Sequence, residues 1–289
     1  MQYIEAKSIL SKLRGQDNWF GLTYNMNLYR GCQHACIYCD TRSECYGIKN
    51  IATISVKSNA LELLAKELHS KKRNRATIGT GSMNDPYMPV EKELKLTQSA
   101  LQTIASERFP VHIITKSDLV VRDKEILQEI SKTYAAVSFT ITSADDHLSK
   151  LIEPNAPQSS ERFKAMEQLA KNGIYTGITL MPILPFINDT KENIRLLLQK
   201  AKDSGASYIL PMFGVTLRKG SRDYFYTALD DKFPGIKEKY KTYFGERYEC
   251  LSFRHKELTE TFMDLSARLG IKTSMQFYQP SQYKQQSLF

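Results

Sequence analysis

Six short apolar runs recur along the chain with helix-patterned segments between them, a spacing that restricts the fold more than any other sequence feature. They are Leu22–Leu28, Ala76–Gly81, Val111–Thr115, Ala135–Ile141, Ile174–Met181 and Tyr208–Phe213. Amphipathic periodicity marks Ser58–His69, Glu93–Glu107, Asp118–Ser131, Ser159–Asn172 and Thr190–Ser204 as the intervening helices. Ser58 is the expected N-cap of the first. Gly173 and Gly205 sit where left-handed caps would stop the last two. Strands alternating with helices predict a parallel sheet, because parallel neighbours need a crossover connection. Six units are too few for a closed eight-stranded barrel. The expected fold is therefore α/β, a partial (β/α)6 TIM-like barrel, with a flat doubly wound sheet as second choice and ligands at the carboxyl ends of the strands.

After about Lys219 the rhythm gives way to an aromatic and charged stretch, then a helix over Lys256–Leu269 and a short strand over Ile271–Phe277. The expected organisation is a barrel over 1–219 and a C-terminal helical and strand extension over 220–289, in one structural unit. That extension would cover the open edge or lateral mouth, where strand backbone would otherwise be unpaired.

With 42% hydrophobic and 25% charged residues the chain is an ordinary globular protein with material for a large core. Met1–Gly15 intersperses Glu5, Lys7, Lys12 and Arg14 among its apolar residues, unlike a signal peptide. No run approaches the roughly 18 apolar residues of a membrane span. A cytoplasmic monomer without membrane contact is expected. The formal charge of +9 would attract phosphates, so nucleic acid is a candidate partner beside the plainer reading of a solvated basic surface.

Five cysteines without a secretory signal argue for reduced thiols, and three of them, Cys32, Cys36 and Cys39, lie within eight residues. They follow the first candidate strand, on a loop at its carboxyl end. Thiolates at such spacing bind zinc or iron–sulfur clusters. A four-iron cluster usually takes four cysteines, so three leave one iron open to a cofactor or substrate. Zinc would need a fourth ligand, with His34 and Cys45 nearest.

CxxxCxxC after a first strand, with Tyr38 before the last cysteine, resembles the radical S-adenosylmethionine (SAM) superfamily, and within it the spore photoproduct lyase-like, or DNA repair photolyase, branch. Further segments carry the resemblance: Ser82–Tyr87, Ile114–Ser117, Ser138–Ser143, Glu153–Pro154, Glu161–Arg162, Met181–Ile183 and Asn188–Asp189. The resemblance implies that Cys32, Cys36 and Cys39 hold a 4Fe–4S cluster, and that SAM chelates its open iron and is cleaved reductively to a 5′-deoxyadenosyl radical. A reductant such as flavodoxin or ferredoxin is then a partner. It also implies SAM contacts for Tyr38 at the adenine, Ser82 and Asn84 at the amino-acid end, Lys116 at the carboxylate, Thr140 and Thr142 at the ribose, and the backbone around Met181 flanking the adenine. Each has a plainer reading: packing for Tyr38, a solvated strand-end lysine for Lys116, turn bonding for Ser82 and Asn84, strand propensity for the threonines.

Glu153 and Arg162 are expected to pair structurally, Arg218 to reach SAM or a substrate phosphate, and Cys45 and Cys250 to stay unligated. True spore photoproduct lyases carry a hydrogen-donating cysteine in the loop after the second strand. Here Gly81–Pro86 has no thiol, so the branch does not fix the substrate. Three functions remain: a radical SAM enzyme on nucleic acid, the same chemistry on a small molecule or peptide, and a non-catalytic iron–sulfur or zinc module.

Overall fold

The computed structural model describes residues 1–280. Six parallel strands, each from one of the six apolar runs, form its centre: β1 (Tyr24–Met26), β2 (Ile78–Thr80), β3 (Val111–Thr115), β4 (Ala135–Thr140), β5 (Tyr175–Leu180) and β6 (Tyr208–Pro211). They neighbour one another in chain order, and Leu10–Lys12 adds an antiparallel strand beside β1. Sequential order is that of a singly wound barrel and excludes the doubly wound alternative, whose order reverses at a switch point. Among the described residues β6 does not pair with β1 or Leu10–Lys12, so the sheet does not close.

Helices α1 (Ala60–Lys71), α2 (Leu96–Ser106), α3 (Lys124–Ser131), α4 (Ser159–Lys171) and α5 (Lys191–Asp203) connect the strands. Their apolar stripes join the strands in one large core that includes Leu64, Leu68, Leu101, Ile104, Leu127, Met166, Leu169, Leu197 and Leu198. Gly173 and Gly205 are left-handed at φ 75° and 77°, as the expected caps require. Three helix boundaries differ from expectation. The first helix is capped one residue later, at Asn59 rather than Ser58. The second is broken at Lys95, φ 50°, into a four-residue turn, Glu91–Leu94, and α2. The third opens as a 3-10 turn over Asp118–Asp123, so that α3 begins at Lys124.

The aromatic stretch after Lys219 folds into α6 (Ser221–Lys232) and α7 (Ile236–Phe244), followed by α8 (His255–Leu269). An antiparallel pair joins Gly214–Thr216 to Glu249–Leu251 across the two helices α6 and α7. The expected strand over Ile271–Phe277 is not one: Lys272 alone bridges to Tyr208. Beyond it the chain leaves the sheet edge, because Met275 and Phe277 pack with Tyr208, Leu210, Phe20, Tyr134 and Tyr175 at the amino-terminal end of the strands. The Tyr134 hydroxyl donates to the Gln276 carbonyl at 2.7 Å, and the Gln276 N–H donates to the Tyr175 hydroxyl at 2.9 Å. Besides meeting the edge at one residue, the extension therefore forms a floor beneath the barrel. In that floor the His112 ring nitrogen lies 2.7 Å from the Ser138 hydroxyl, itself 2.7 Å from that of Tyr208.

Candidate active site

The cysteine loop is bound to three separate segments. The Cys32 N–H donates to the Ile51 carbonyl at 2.7 Å and the Ile37 N–H to the Ile152 carbonyl at 2.9 Å. The Asn155 N–H and side-chain amide donate to the carbonyls of His34 and Gln33, while the Gln33 amide oxygen accepts from the Val90 N–H at 2.7 Å. A loop so held presents fixed side chains. Cys32, Cys36 and Cys39 all line one cavity of about 330 Å3 at the carboxyl ends of the strands.

Among the described residues no three His, Cys, Asp or Glu side chains converge on a single-ion site. The neighbouring candidates for a fourth ligand are otherwise engaged. His34 Nδ1 lies 3.3 Å from Asp85. Asp40 accepts from Ser43 and Tyr46 and lies 3.3 Å from Arg218. Cys45 is exposed, 3.8 Å from Arg218, and does not line the cavity. Three thiols around one chamber, without a free fourth donor, suit a cluster with an open corner better than a closed tetrahedral ion. Burial pushes the Cys36 thiol well up and raises that of Cys32 to about 11. These thiols are therefore protonated until a metal displaces the proton.

The remaining wall comes from successive strand ends. Of the residues expected at SAM, Tyr38, Ser82, Asn84, Lys116, Thr140 and Met181 line this cavity, and Thr142 does not. Thr142 is buried, its carbonyl accepts from the amides of Asn188 and Asn193, and its hydroxyl has no partner. The period of two along the strand passes from inside to outside at the strand end, where the chain turns away. Asn84 donates to the Tyr29 carbonyl at 2.7 Å, the Ser82 hydroxyl accepts from Asn25 at 2.7 Å, and the Thr140 hydroxyl lies 2.8 Å from that of Thr179.

Behind the wall lies a buried charge cluster. Arg162 and Glu153 pair at 2.5 Å with 0% and 1% of their side chains exposed. The Tyr38 hydroxyl donates to Glu153, and Arg162 donates to the Thr140 carbonyl at 2.8 Å. The expected ion pair is thus present, and it also fixes two cavity residues. Burial alone would raise the Glu153 pKa, but Arg162 and then Lys116 outweigh it and hold the carboxyl low. Burial likewise opposes a charged Lys116, yet Cys36 in its thiolate form and the Glu153 carboxylate raise its pKa above the ordinary lysine value. Lys116 thus faces the cavity with its ammonium form favoured by buried anions.

Asp85 was not singled out from sequence. Its carboxylate accepts from the Thr115 hydroxyl at 2.7 Å, the Lys116 N–H at 2.6 Å and the Tyr87 N–H at 2.9 Å. Burial works against its charge, but His34 and these donors bring its pKa down to about 2. It ties the cysteine loop to the ends of β2 and β3. An aspartate before a proline, just after a strand, was its only sequence signal, and that pattern also reads as a turn. Arg218 reaches the rim, donating to the hydroxyls of Tyr46 and Tyr248.

An open parallel barrel that presents three thiols and a half-buried lysine to one chamber defines a cofactor-dependent α/β enzyme architecture. Residues 26–198 match the family model of the Radical SAM superfamily, and the chain belongs to that superfamily. Its cofactors are accordingly a 4Fe–4S cluster and SAM. Over 175 residues, 59% of its length, the chain is 37% identical to an uncharacterized protein of Methanocaldococcus jannaschii, and it covers 64% of that relative. It is 25% identical over 182 residues, 63% of its length, to a radical SAM Nα-GlyT isomerase of Pseudomonas phage M6, of which it covers 37%. The chain thus spans less than two thirds of either relative. In fold it is similar to a spore photoproduct lyase variant solved with bound AdoMet and dinucleoside spore photoproduct. The TM-score is 0.67 at 17% identity, covering 93% of this chain and 78% of the other.

Proposed function

We propose that this chain is a radical SAM enzyme acting on nucleic acid, with Cys32, Cys36 and Cys39 as the cluster ligands. The observation that carries the reading is that the three thiols share one cavity with Lys116, Ser82, Asn84, Thr140 and Met181. When bound, the cluster would supply the electron that cleaves SAM, and SAM the carbon-centred radical that acts on the substrate. The chain's residues bind and orient. Lys116 gives the SAM carboxylate a cation in a partly desolvated place, where charge pairing is stronger than in water. Tyr38, fixed by Glu153, offers a ring face and backbone groups to the adenine. Ser82 and Asn84 meet the amino-acid end, Thr140 the ribose, and the Met181 backbone the far side of the adenine. Thr142 acts from behind this shell.

Nucleic acid as substrate class is supported by the net charge of +9 and by the dinucleoside held by the structurally similar lyase. The reductant is an acidic electron carrier of the flavodoxin or ferredoxin kind, and residues 220–280 work as part of the same unit as the barrel. Among the described residues no helix is long and apolar enough to cross a membrane. Anaerobic reconstitution with iron and sulfide should yield a protein that forms 5′-deoxyadenosine from SAM and a reductant. Cys36→Ala should fold, yet carry less iron and form none. Wild-type deoxyadenosine yield from that variant would refute the ligand assignment. Binding of single-stranded DNA or RNA should weaken steeply with salt, since each neutralised phosphate contributes about −0.7 to the logarithmic slope; salt-independent binding would point to a different substrate class.

A further inference from the structure

A second cavity, of about 200 Å3, lies beside the first, and Met83 and Asn84 line both. Its other walls include Asn27, Arg30, Tyr46 and Lys57. Two cations and no carboxylate line it. Lys57 is anchored through the Asn27 carbonyl at 2.6 Å, and Arg30 through the carbonyls of Tyr46 and Gly47 at 2.8 and 3.1 Å. Each contact uses only part of the donor set of its side chain: an ammonium has three N–H groups and a guanidinium five. Among the described residues neither cation has a carboxylate within ion-pair distance. Burial lowers the Lys57 pKa; the more distant Glu67 carboxylate offsets part of that, and neighbouring Arg30 adds to it. Two cations with spare donors, Lys57 half-buried and Arg30 at the exposed mouth, with no carboxylate in ion-pair contact, form a site that an anion would stabilise.

We propose that this cavity is a phosphate subsite, in which Arg30 and Lys57 hold a substrate phosphate one wall away from the reaction chamber. The inference deepens the nucleic-acid reading and rests on it for the identity of the substrate, but the anion chemistry stands on the two cations. A phosphate held here leaves the attached sugar and base to reach past Met83 and Asn84 towards the thiols. The shared wall is thin, and its Met83 carbonyl accepts from the Thr41 hydroxyl at 2.9 Å. The loop that borders SAM's expected amino-acid end would therefore also sense the substrate. The phosphate has two sources, a polynucleotide backbone or a phosphorylated small molecule.

The test uses the reconstituted full chain with SAM and three probes: inorganic phosphate, a pyrimidine mononucleotide and a ten-nucleotide single strand. A pyrimidine is chosen because it does not mimic the adenine of SAM. Lys57→Met and Arg30→Gln should each weaken binding of the probes by about tenfold, the usual scale for a charge-assisted hydrogen bond. For the strand, each should also reduce the logarithmic salt slope by about one. Tight binding of the strand alone assigns a polynucleotide, and equal binding of the mononucleotide assigns a phosphorylated small molecule; both support the subsite. Wild-type affinity for every probe in both variants, or no phosphate-dependent binding by the wild type, would overturn it. Thermal melting identifies a variant that fails to fold, and the other variant then decides. Deoxyadenosine formation by the wild type is read separately, so loss of the subsite and loss of the radical SAM assignment are distinguishable.

Discussion

Glu153 and Arg162 hold opposite charges at a depth where neither reaches water, and their value depends on both being present. Removing one partner leaves the other buried and uncompensated, which costs about 3–5 kcal/mol. Arg162→Met should lower the free energy of urea unfolding by that amount, and adding Glu153→Gln should recover much of the loss. Equal stability of the single and double variants would show that the pair is not coupled. His112 makes the opposite kind of prediction. Its ring is fully buried and burial pushes its pKa down to about 3, below the ordinary histidine value of 6.5. Between those values the unfolded chain binds a proton that the folded chain excludes, so stability should fall as pH falls from about 6.5 towards 3. His112→Gln should flatten that decline by about 1.4 kcal/mol per pH unit. An unchanged slope would place the titration elsewhere.

At the scale of elements, the strand that ends at Thr80 turns into the site through Gly81, at φ 94°, where a Cβ would sit 2.1 Å from the Ile114 carbonyl oxygen. Gly173 shares the positive φ, but a Cβ there meets nothing within 4 Å. Gly81→Ala should therefore destabilise more than Gly173→Ala, whose cost is the backbone conformation alone, about 1 kcal/mol. Denaturation midpoints in the reverse order would contradict this. Such differences explain what was legible in the sequence. All six parallel strands were readable, because buried strands are continuous apolar runs flanked by long amphipathic helices. The strands Gln2–Ile4, Tyr29–Arg30 and Ser55–Lys57 were not, since two or three residues give no measurable period. The break at Lys95 and the clasp made by Asp85 depend on partners 6 to 51 residues away in sequence, Glu91 with Thr97 at one extreme and His34 with Asp85 at the other. Thr142 entered the expected site only through the family resemblance, and it lies past the end of β4 at Thr140, outside the cavity wall.

Across the whole molecule the two ends of the barrel have different work. The carboxyl ends carry the thiols, the buried charges and the two cavities described above, while the amino-terminal end is packed with apolar and neutral polar side chains contributed partly by the chain after Lys272, with a separate cavity of about 280 Å3 beside Phe277. Met275→Ala combined with Phe277→Ala should lower unfolding free energy by about 2–5 kcal/mol, the range for truncating buried apolar side chains. The iron content after reconstitution should not change. Loss of iron with little loss of stability would mean that the floor and the cluster loop are linked.

That floor has a consequence for reactive chemistry. Side chains packed beneath the strands leave the strand-end openings as the described way to the thiols, so a quencher is expected to use the approaches that substrate uses. Whatever occupies those approaches during turnover also shields the radical, and uncoupled consumption of SAM should be greatest when they stand empty.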